Sequence, residues 1–290
     1  MKPNQTESKL RLTRLEDLLP EWEADATAAH TAFLRGEARG PRTGFPRLDQ
    51  ALGGWLQPGV HIAHGQPGVG KTGFGLQIAG SCGCPALFVS CEMNLLELLR
   101  RMTARVTETP LNRLKRGELP PQEAVALLQR AMAACPGLAF ADSTREYADP
   151  DWLLDAAKAV REDARHVLVV VDSVHSWADS APADAAEYER LNGALTALHL
   201  MTSELNCPVL AISERNRASM VSGGISAGAG SRKIEYGAET VLDLEVQPNT
   251  FADVTGETPM TVTLAKNRHG APGAQVRLRF QGALQRFQEM

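Results

Sequence analysis

Residues 65–72 read Gly-Gln-Pro-Gly-Val-Gly-Lys-Thr. The spacing G-x-x-x-x-G-K-[ST] is that of a loop that wraps phosphate. The backbone of Gly65, Gln66, Pro67, Gly68, Val69 and Gly70 would wrap the phosphates, its glycines letting the available N–H groups turn onto phosphate oxygens. Lys71 would reach the outer phosphates, and the Thr72 hydroxyl would ligate Mg²⁺. The context agrees. Val60-His61-Ile62-Ala63 precedes the octet as a strand should, and Phe74-Gly75-Leu76-Gln77-Ile78-Ala79 follows as a helix whose N-terminus favours anions. Further along, Val167-Leu-Val-Val-Val171 is apolar throughout, as a strand buried on both faces must be. It ends at Asp172, where a carboxylate can hold Mg²⁺ directly or through water. Ser173 and His175 follow, His175 reading as a loop residue. Another apolar run, 86–90, leads to Glu92. There a carboxylate could orient or deprotonate an attacking water, although on its own residues Glu92 reads rather as a solvated loop glutamate.

Two sets of cations remain. The apolar run 208–213 exits into Glu214-Arg215-Asn216-Arg217. A glycine-rich stretch, 222–230, follows, and then Ser231-Arg232-Lys233. Arg215, Arg217, Arg232 and Lys233 thus bracket what reads as a mobile loop. They suit either nucleic-acid phosphates or a merely solvated loop. Lys266 and Arg268 lie two apart at the end of a strand pattern and so share a face. They could serve this chain's nucleotide, a neighbour's nucleotide or DNA, and residue chemistry does not choose.

The elements that must position these groups alternate. Strand patterns fall at 60–64, 86–90, 167–172, 208–213, 240–244 and 260–265, with 276–280 as a late hairpin partner. Helical patterns fall at 73–80, 95–107, 121–134, 151–162 and 187–204. Strands alternating with helices predict an α/β fold with a mostly parallel, twisted sheet flanked by helices and a C-terminal β-hairpin. Before this body lies a polar start, 1–13, then a helical pattern over 15–34 with Leu15, Leu18, Leu19, Trp22, Ala26, Ala29 and Phe33 apolar. Pro20 sets a helix start near Leu19 or a kink there. The apolar face of this helix must bury against the main body or another chain. The division expected is 1–42, tail and helix, and 43–290, the main domain.

Composition narrows the function. A net charge of −4 over 290 residues argues against a generally sticky nucleic-acid binder, so DNA contact would need local basic clusters. The cysteines, 82, 84, 91, 135 and 207, are odd in number, which excludes a fully paired disulfide framework. Cys82-x-Cys84 has the wrong spacing for a zinc knuckle. Thiols in a reducing cytosol fit better. No apolar run approaches a membrane span and the start is no signal peptide, so a soluble cytoplasmic protein is expected.

The ordered set of segments resembles the C-terminal ATPase domain of DnaB-type replicative helicases, a RecA-like branch of the P-loop NTPases. The likeness rests on Thr43-Gly-Phe-Pro-Arg-Leu-Asp49, Leu56-Gln-Pro-Gly59, Ser90-Cys-Glu-Met93, Arg101-Met102, Pro110-Leu-Asn-Arg-Leu114, Leu205-Asn-Cys-Pro-Val209, Asn216-Arg217, Lys266-Asn-Arg-His-Gly270 and Val276-Arg-Leu-Arg-Phe280. The resemblance implies an ATP- and Mg²⁺-dependent ring motor, hexameric, acting on single-stranded DNA and with a loader protein as a candidate partner. It casts Glu92 as the residue that activates water. Lys266 and Arg268 would reach a neighbour's nucleotide, Arg268 as an arginine finger. The loop from Arg217 to Lys233 would track DNA in the channel, and helix 19–34 would pack on the adjacent subunit. Two departures stand out. Glu214 replaces the glutamine that senses the γ-phosphate, and only about forty residues precede Thr43 where the family carries a helical domain. The alternatives are a RadA- or KaiC-like ATPase that does not unwind, and a nucleotide-gated assembly protein with little turnover.

Overall fold

A computed structural model describes residues 12–182, 186–214, 236–247 and 256–290. The chain divides into two compact units, Met1–Arg39 and Gly40–Met290.

In the first unit a 3-10 turn, Leu15–Leu18, leads into helix α1, Leu19–Arg35, with Pro20 in its first turn. Proline is tolerated there because the first N–H groups lack intrahelical partners. Gly36, at φ 64°, ends the helix by donating its N–H to the carbonyls of Ala32 and Phe33. No α1 residue is buried. Trp22 is 70% and Phe33 80% exposed.

The second unit is built on one sheet. In chain order its elements are α2 (Pro46–Ala51), β1 (Gly59–Gly65), α3 (Lys71–Ala79), β2 (Ala86–Ser90), α4 (Leu95–Thr107), α5 (Leu111–Arg116), α6 (Pro121–Ala134), β3 (Leu138–Asp142), α7 (Pro150–Arg161), β4 (Leu168–Asp172), α8 (Val174–Asp179), α9 (Glu187–Leu205), β5 (Pro208–Glu214), β6 (Thr240–Val246), β7 (Glu257–Asn267), β8 (Gln275–Gln281) and β9 (Arg286–Glu289). The sheet runs β3-β2-β4-β5-β1-β6-β7-β8-β9. Every pairing from β3 through β6 is parallel, and β7, β8 and β9 add antiparallel strands. The expected α/β class and mostly parallel sheet are therefore present. The late hairpin is larger than foreseen: β9 extends it, and β7 joins it to the parallel body.

Strand alternation feeds two cores. Leu168, Val170, Leu210 and Ile212 face one side with Phe74, Ile78, Leu98 and Met102. Val169, Val171, Val209 and Ala211 face the other with Leu153, Trp177, Leu195 and Leu198. Burial on both faces is why these strands are apolar at consecutive positions. Helix starts are capped as their residues dictate. Asn94 Oδ1 accepts the Glu97 N–H at 2.9 Å. Asp149 Oδ1 accepts from Asp151 and Trp152 at 3.1 and 3.0 Å. The result for function is that β1, β2, β4 and β5 all present their C-terminal ends on one edge, where ligands settle in open parallel sheets.

Candidate nucleotide site

A cleft of about 310 Å³ opens at that edge, lined by Gly68, Gly70, Lys71, Thr72, Glu92, Arg101, Asp172, Ser173, Glu214, Phe280 and Gln285 among others. Gln66, Pro67 and Gly68 form an exposed crest between β1 and α3, whereas Gly65 and Val69 are buried beneath it. Glycine is required at two points by different constraints. A Cβ on Gly65 would sit 2.7 Å from Val69 Cγ1 and 3.0 Å from the Leu244 carbonyl. Gly70, at φ +94°, would bring one to 3.0 Å from Phe287 Cζ. The loop thus rests on its own strand and on the last strands of the chain.

Lys71 begins α3 and is 8% exposed. Its Nζ donates to the carbonyls of Gly65 and Gln66 at 3.0 and 3.1 Å and lies 4.0 Å from Glu214 Oε1. Burial lowers its pKa, while Glu214, Asp172 and Glu92 act to raise it. A buried ammonium with three carboxylates around it is a fixed positive charge ready for an anion.

Asp172 ends β4 and is 4% exposed. Burial pushes its pKa up to about 6. A hydrogen bond from Thr72 opposes that rise, Glu92 adds to it, and Lys71 and Arg101 oppose it. Thr72 and Asp172 are therefore within hydrogen-bonding reach, as two groups sharing a cation must be. Lys71 and Arg101 only partly offset the effect of burial on this carboxylate, and a hard divalent cation would add the remaining positive charge. The donor set fits Mg²⁺, and the cradle of turned glycines and Lys71 fits the phosphates of a nucleotide.

Glu92 lies just past β2. Its Oε1 accepts from Ser173 Oγ at 2.7 Å and from Ser176 Oγ at 2.6 Å. The same serines build the start of α8, where Ser173 Oγ accepts the Ser176 N–H at 3.3 Å. Glu92 is exposed, and the two hydroxyls hold its carboxylate at the cleft that it lines.

Arg101 was not singled out as a site residue from sequence. It sits on α4 four residues after Glu97, whose Oε1 takes its Nε at 3.2 Å and Lys115 Nζ at 2.6 Å. Its Nη1 donates to Gln285 Oε1 at 2.5 Å. Glu97-x-x-x-Arg101 has the spacing of a helical ion pair, but nothing local says that the pair borders a cleft.

Lys266 and Arg268 do not line this cleft. Lys266 Nζ and Arg268 Nη2 both donate to the Tyr236 carbonyl, at 2.8 and 3.0 Å, so the two cations converge on one acceptor, although Arg268 lies in the turn just past β7. Arg268 Nη1 also pairs with Glu239 at 3.0 Å. Just before them, Val241 pairs with Lys266 and Leu242 with Leu264, which leaves Ala265 as the extra residue of a bulge. Bulges re-aim the residues that follow. Arg215, Arg217, Arg232, Lys233 and the glycine-rich stretch 222–230 lie outside the described residues.

Fold and cleft together define a P-loop nucleotide-binding α/β protein. The chain belongs to the family of the DnaB-like helicase C terminal domain, whose profile matches residues 40–289. It is similar to the replicative DNA helicase DnaB of Leifsonia xyli subsp. xyli, at 24% identity over 95% of this chain and 62% of that protein. The chain thus spans less than two thirds of the length of that curated relative. Among solved structures it resembles the ATPase domain of G40P, with a TM-score of 0.79 at 18% identity, covering 97% of this chain and 100% of that one. It also resembles a DnaB-like replicative helicase solved with its interactions with primase, with a TM-score of 0.75 at 18% identity, covering 96% and 67%. Among the described residues, no helix is long and apolar enough to cross a membrane.

Proposed function

We propose that this chain is the ATP-hydrolysing motor of a ring that moves along single-stranded DNA. The carrying observation is the convergence of Lys71, Thr72, Asp172 and Glu92 on one cleft, from three separate points of the sequence. Thr72 and Asp172 would hold Mg²⁺, and the loop Gly65–Lys71 would hold the phosphates of ATP. The metal would supply charge neutralisation where negative charge builds. Glu92, hydrogen-bonded by Ser173 and Ser176, would orient a water and take its proton. Lys71 gives a positive charge that needs no rearrangement during reaction.

What supports a ring is the placement of Arg268. It is anchored on Glu239 and the Tyr236 carbonyl, away from the residues lining its own chain's cleft. In this reading Lys266 and Arg268 complete a neighbour's site, α1 packs on an adjacent subunit, and Arg215, Arg217, Arg232 and Lys233 grip DNA phosphates. The test mixes two inactive variants. Arg268→Ala should bind ATP and hydrolyse it poorly, and Lys71→Ala should be inactive. Mixed rings contain hybrid interfaces with one intact site and one intact finger. An arginine finger contributes a factor of roughly a thousand or more, so mixing should restore measurable turnover. If mixtures never exceed the separate variants, Arg268 acts within its own chain.

Glu214 favours a second reading, a RadA- or KaiC-like ATPase without unwinding activity. Its carboxylate is 4.0 Å from Lys71, and a second carboxylate beside a bound phosphate would repel it and so alter the link between hydrolysis and DNA. Displacement of a strand from a forked duplex separates the two.

A further inference from the structure

The nucleotide reading leaves one pair of nucleophilic side chains unused. α3 begins at the phosphate loop with Lys71 and ends at Ala79. The turn beyond it carries Cys82 and Cys84, whose Sγ atoms lie 3.6 Å apart. Cys82 is 2% exposed and Cys84 half-buried. Gly83 between them stands at φ +78°, and nothing lies within 4 Å of the position a Cβ would take there. That left-handed residue, which only glycine adopts freely, folds the tripeptide so that both sulfurs face each other. Cys82 Sγ also lies 3.3 Å from the Ala79 carbonyl and 3.2 Å from the Cys84 carbonyl, which fixes it at the mouth of the turn.

From this geometry we infer that Cys82 and Cys84 form a modification site, a dithiol that a hydroperoxide converts into an intrachain disulfide. A disulfide needs sulfurs at about 2.05 Å, so closure requires roughly 1.5 Å of approach from the 3.6 Å observed. The hydrogen bond from Cys84 draws the Cys82 thiol below its ordinary range and lifts that of Cys84, which favours Cys82 as the attacking thiolate. Cys82 Sγ attacks one oxygen of the peroxide and the O–O bond breaks. Cys82 becomes a sulfenic acid, and the hydroxide that leaves takes up the proton lost from the Cys82 thiol, giving the first water. Cys84 Sγ then attacks the sulfenic sulfur. The S–S bond forms, the S–O bond breaks, and the Cys84 proton leaves with that oxygen as water. Two thiols are oxidised, one peroxide is reduced, and two waters result. The alternative of a metal held by these thiols lacks ligands, because among the described residues no group of three or more Cys, His, Asp or Glu is placed to hold an ion.

The site lies at the opposite end of α3 from Lys71 and Thr72, roughly 13 Å along the helix axis. The Cys82 carbonyl accepts the Arg42 N–H at 2.9 Å, so closure also pulls on the segment entering α2.

The test uses the full chain, reduced and then exposed to hydrogen peroxide. After denaturation, free thiols are blocked with N-ethylmaleimide and the mass is read. Untreated protein should take up five maleimides, one for each cysteine. Oxidised protein should take up three and weigh two hydrogens less before blocking, and dithiothreitol should restore all five. Fragmentation of peptide 72–100 should leave the chain uncut between Cys82 and Cys84, with Cys91 carrying a maleimide. Cys84→Ser should stop at the sulfenic acid, trapped on Cys82 by dimedone. Phenylarsine oxide, which bridges only two neighbouring thiols and releases water, should bind one per chain and protect the same pair. Five maleimides after peroxide, a bridge to Cys91, Cys135 or Cys207, or no arsenical protection of this pair would each overturn the inference.

Discussion

Replacing Asp172 by Asn should make the nucleotide-free protein more stable while abolishing the Mg²⁺-dependent turnover proposed above. The side chain is 4% exposed and its pKa stands at about 6 against an ordinary 3.8. The difference, about 2.2 pH units, corresponds to about 3 kcal/mol. The sign follows from linkage. Folding raises this pKa, so the folded chain holds the proton more tightly than the unfolded one. The associated stability is complete below pH 3.8, falls as pH rises through the window to about 6, and is absent above it. Asparagine carries no charge at any of these pH values and keeps an oxygen for the Thr72 hydroxyl. At pH 8 the variant should therefore gain up to about 3 kcal/mol, or roughly 6–12 °C in melting temperature for a domain of this size. At pH 4 the advantage should vanish. The assay is thermal unfolding of metal-free, nucleotide-free protein across this range, beside ATP turnover with Mg²⁺. A variant less stable than wild type at pH 8, or an advantage equal at pH 4 and pH 8, would refute the view that Asp172 is an only partly compensated buried charge.

The other predictions concern the remaining parts of the site and the DNA loop. Glu92→Gln should bind ATP normally and turn over at background rate; normal turnover would remove Glu92 from the mechanism. Ser173→Ala with Ser176→Ala frees the Glu92 carboxylate, and kcat should fall about tenfold, on the order of 1.4 kcal/mol, with ATP affinity unchanged. A matching loss of affinity would mean that the serines build the pocket rather than aim Glu92. Lys233→Ala should lower the salt slope of single-stranded DNA binding by about one unit while leaving DNA-independent ATP turnover intact. An unchanged slope would take Lys233 off the phosphate backbone.

Much of this was legible in the sequence because it is local. The octet around Lys71, the all-apolar β4 ending in Asp172, and α4 and α6 follow from spacing and periodicity. The strand β3 was not foreseen. Leu-Ala-Phe-Ala-Asp is an edge strand, mostly half-buried, and two of its five residues are alanine, a weak strand former. α2, α5 and α8, at six residues each, are too short to show a period. Within the site, Phe280 and Gln285 reach the cleft only because β8 and β9 fold back over the phosphate loop. Ser173 and Ser176 gain their role only through Glu92, more than eighty positions away. No local pattern carries such encounters.

The phosphate loop is also built on the end of the chain. Phe287 packs beneath Gly70 and edge-on against Phe74. Gln77 exchanges hydrogen bonds with the Phe287 backbone at 2.8 Å in both directions. Glu289 accepts the Arg47 and Leu48 N–H groups that open α2, at 3.0 and 3.3 Å. Contacts spanning more than two hundred residues close late. During synthesis, therefore, the strands from β1 to β6 can emerge and associate while α3 still lacks its floor. A ribosome-bound chain stalled before Phe287 should hold its parallel sheet yet bind nucleotide poorly, and ATP competence should appear only as the last strand clears the exit.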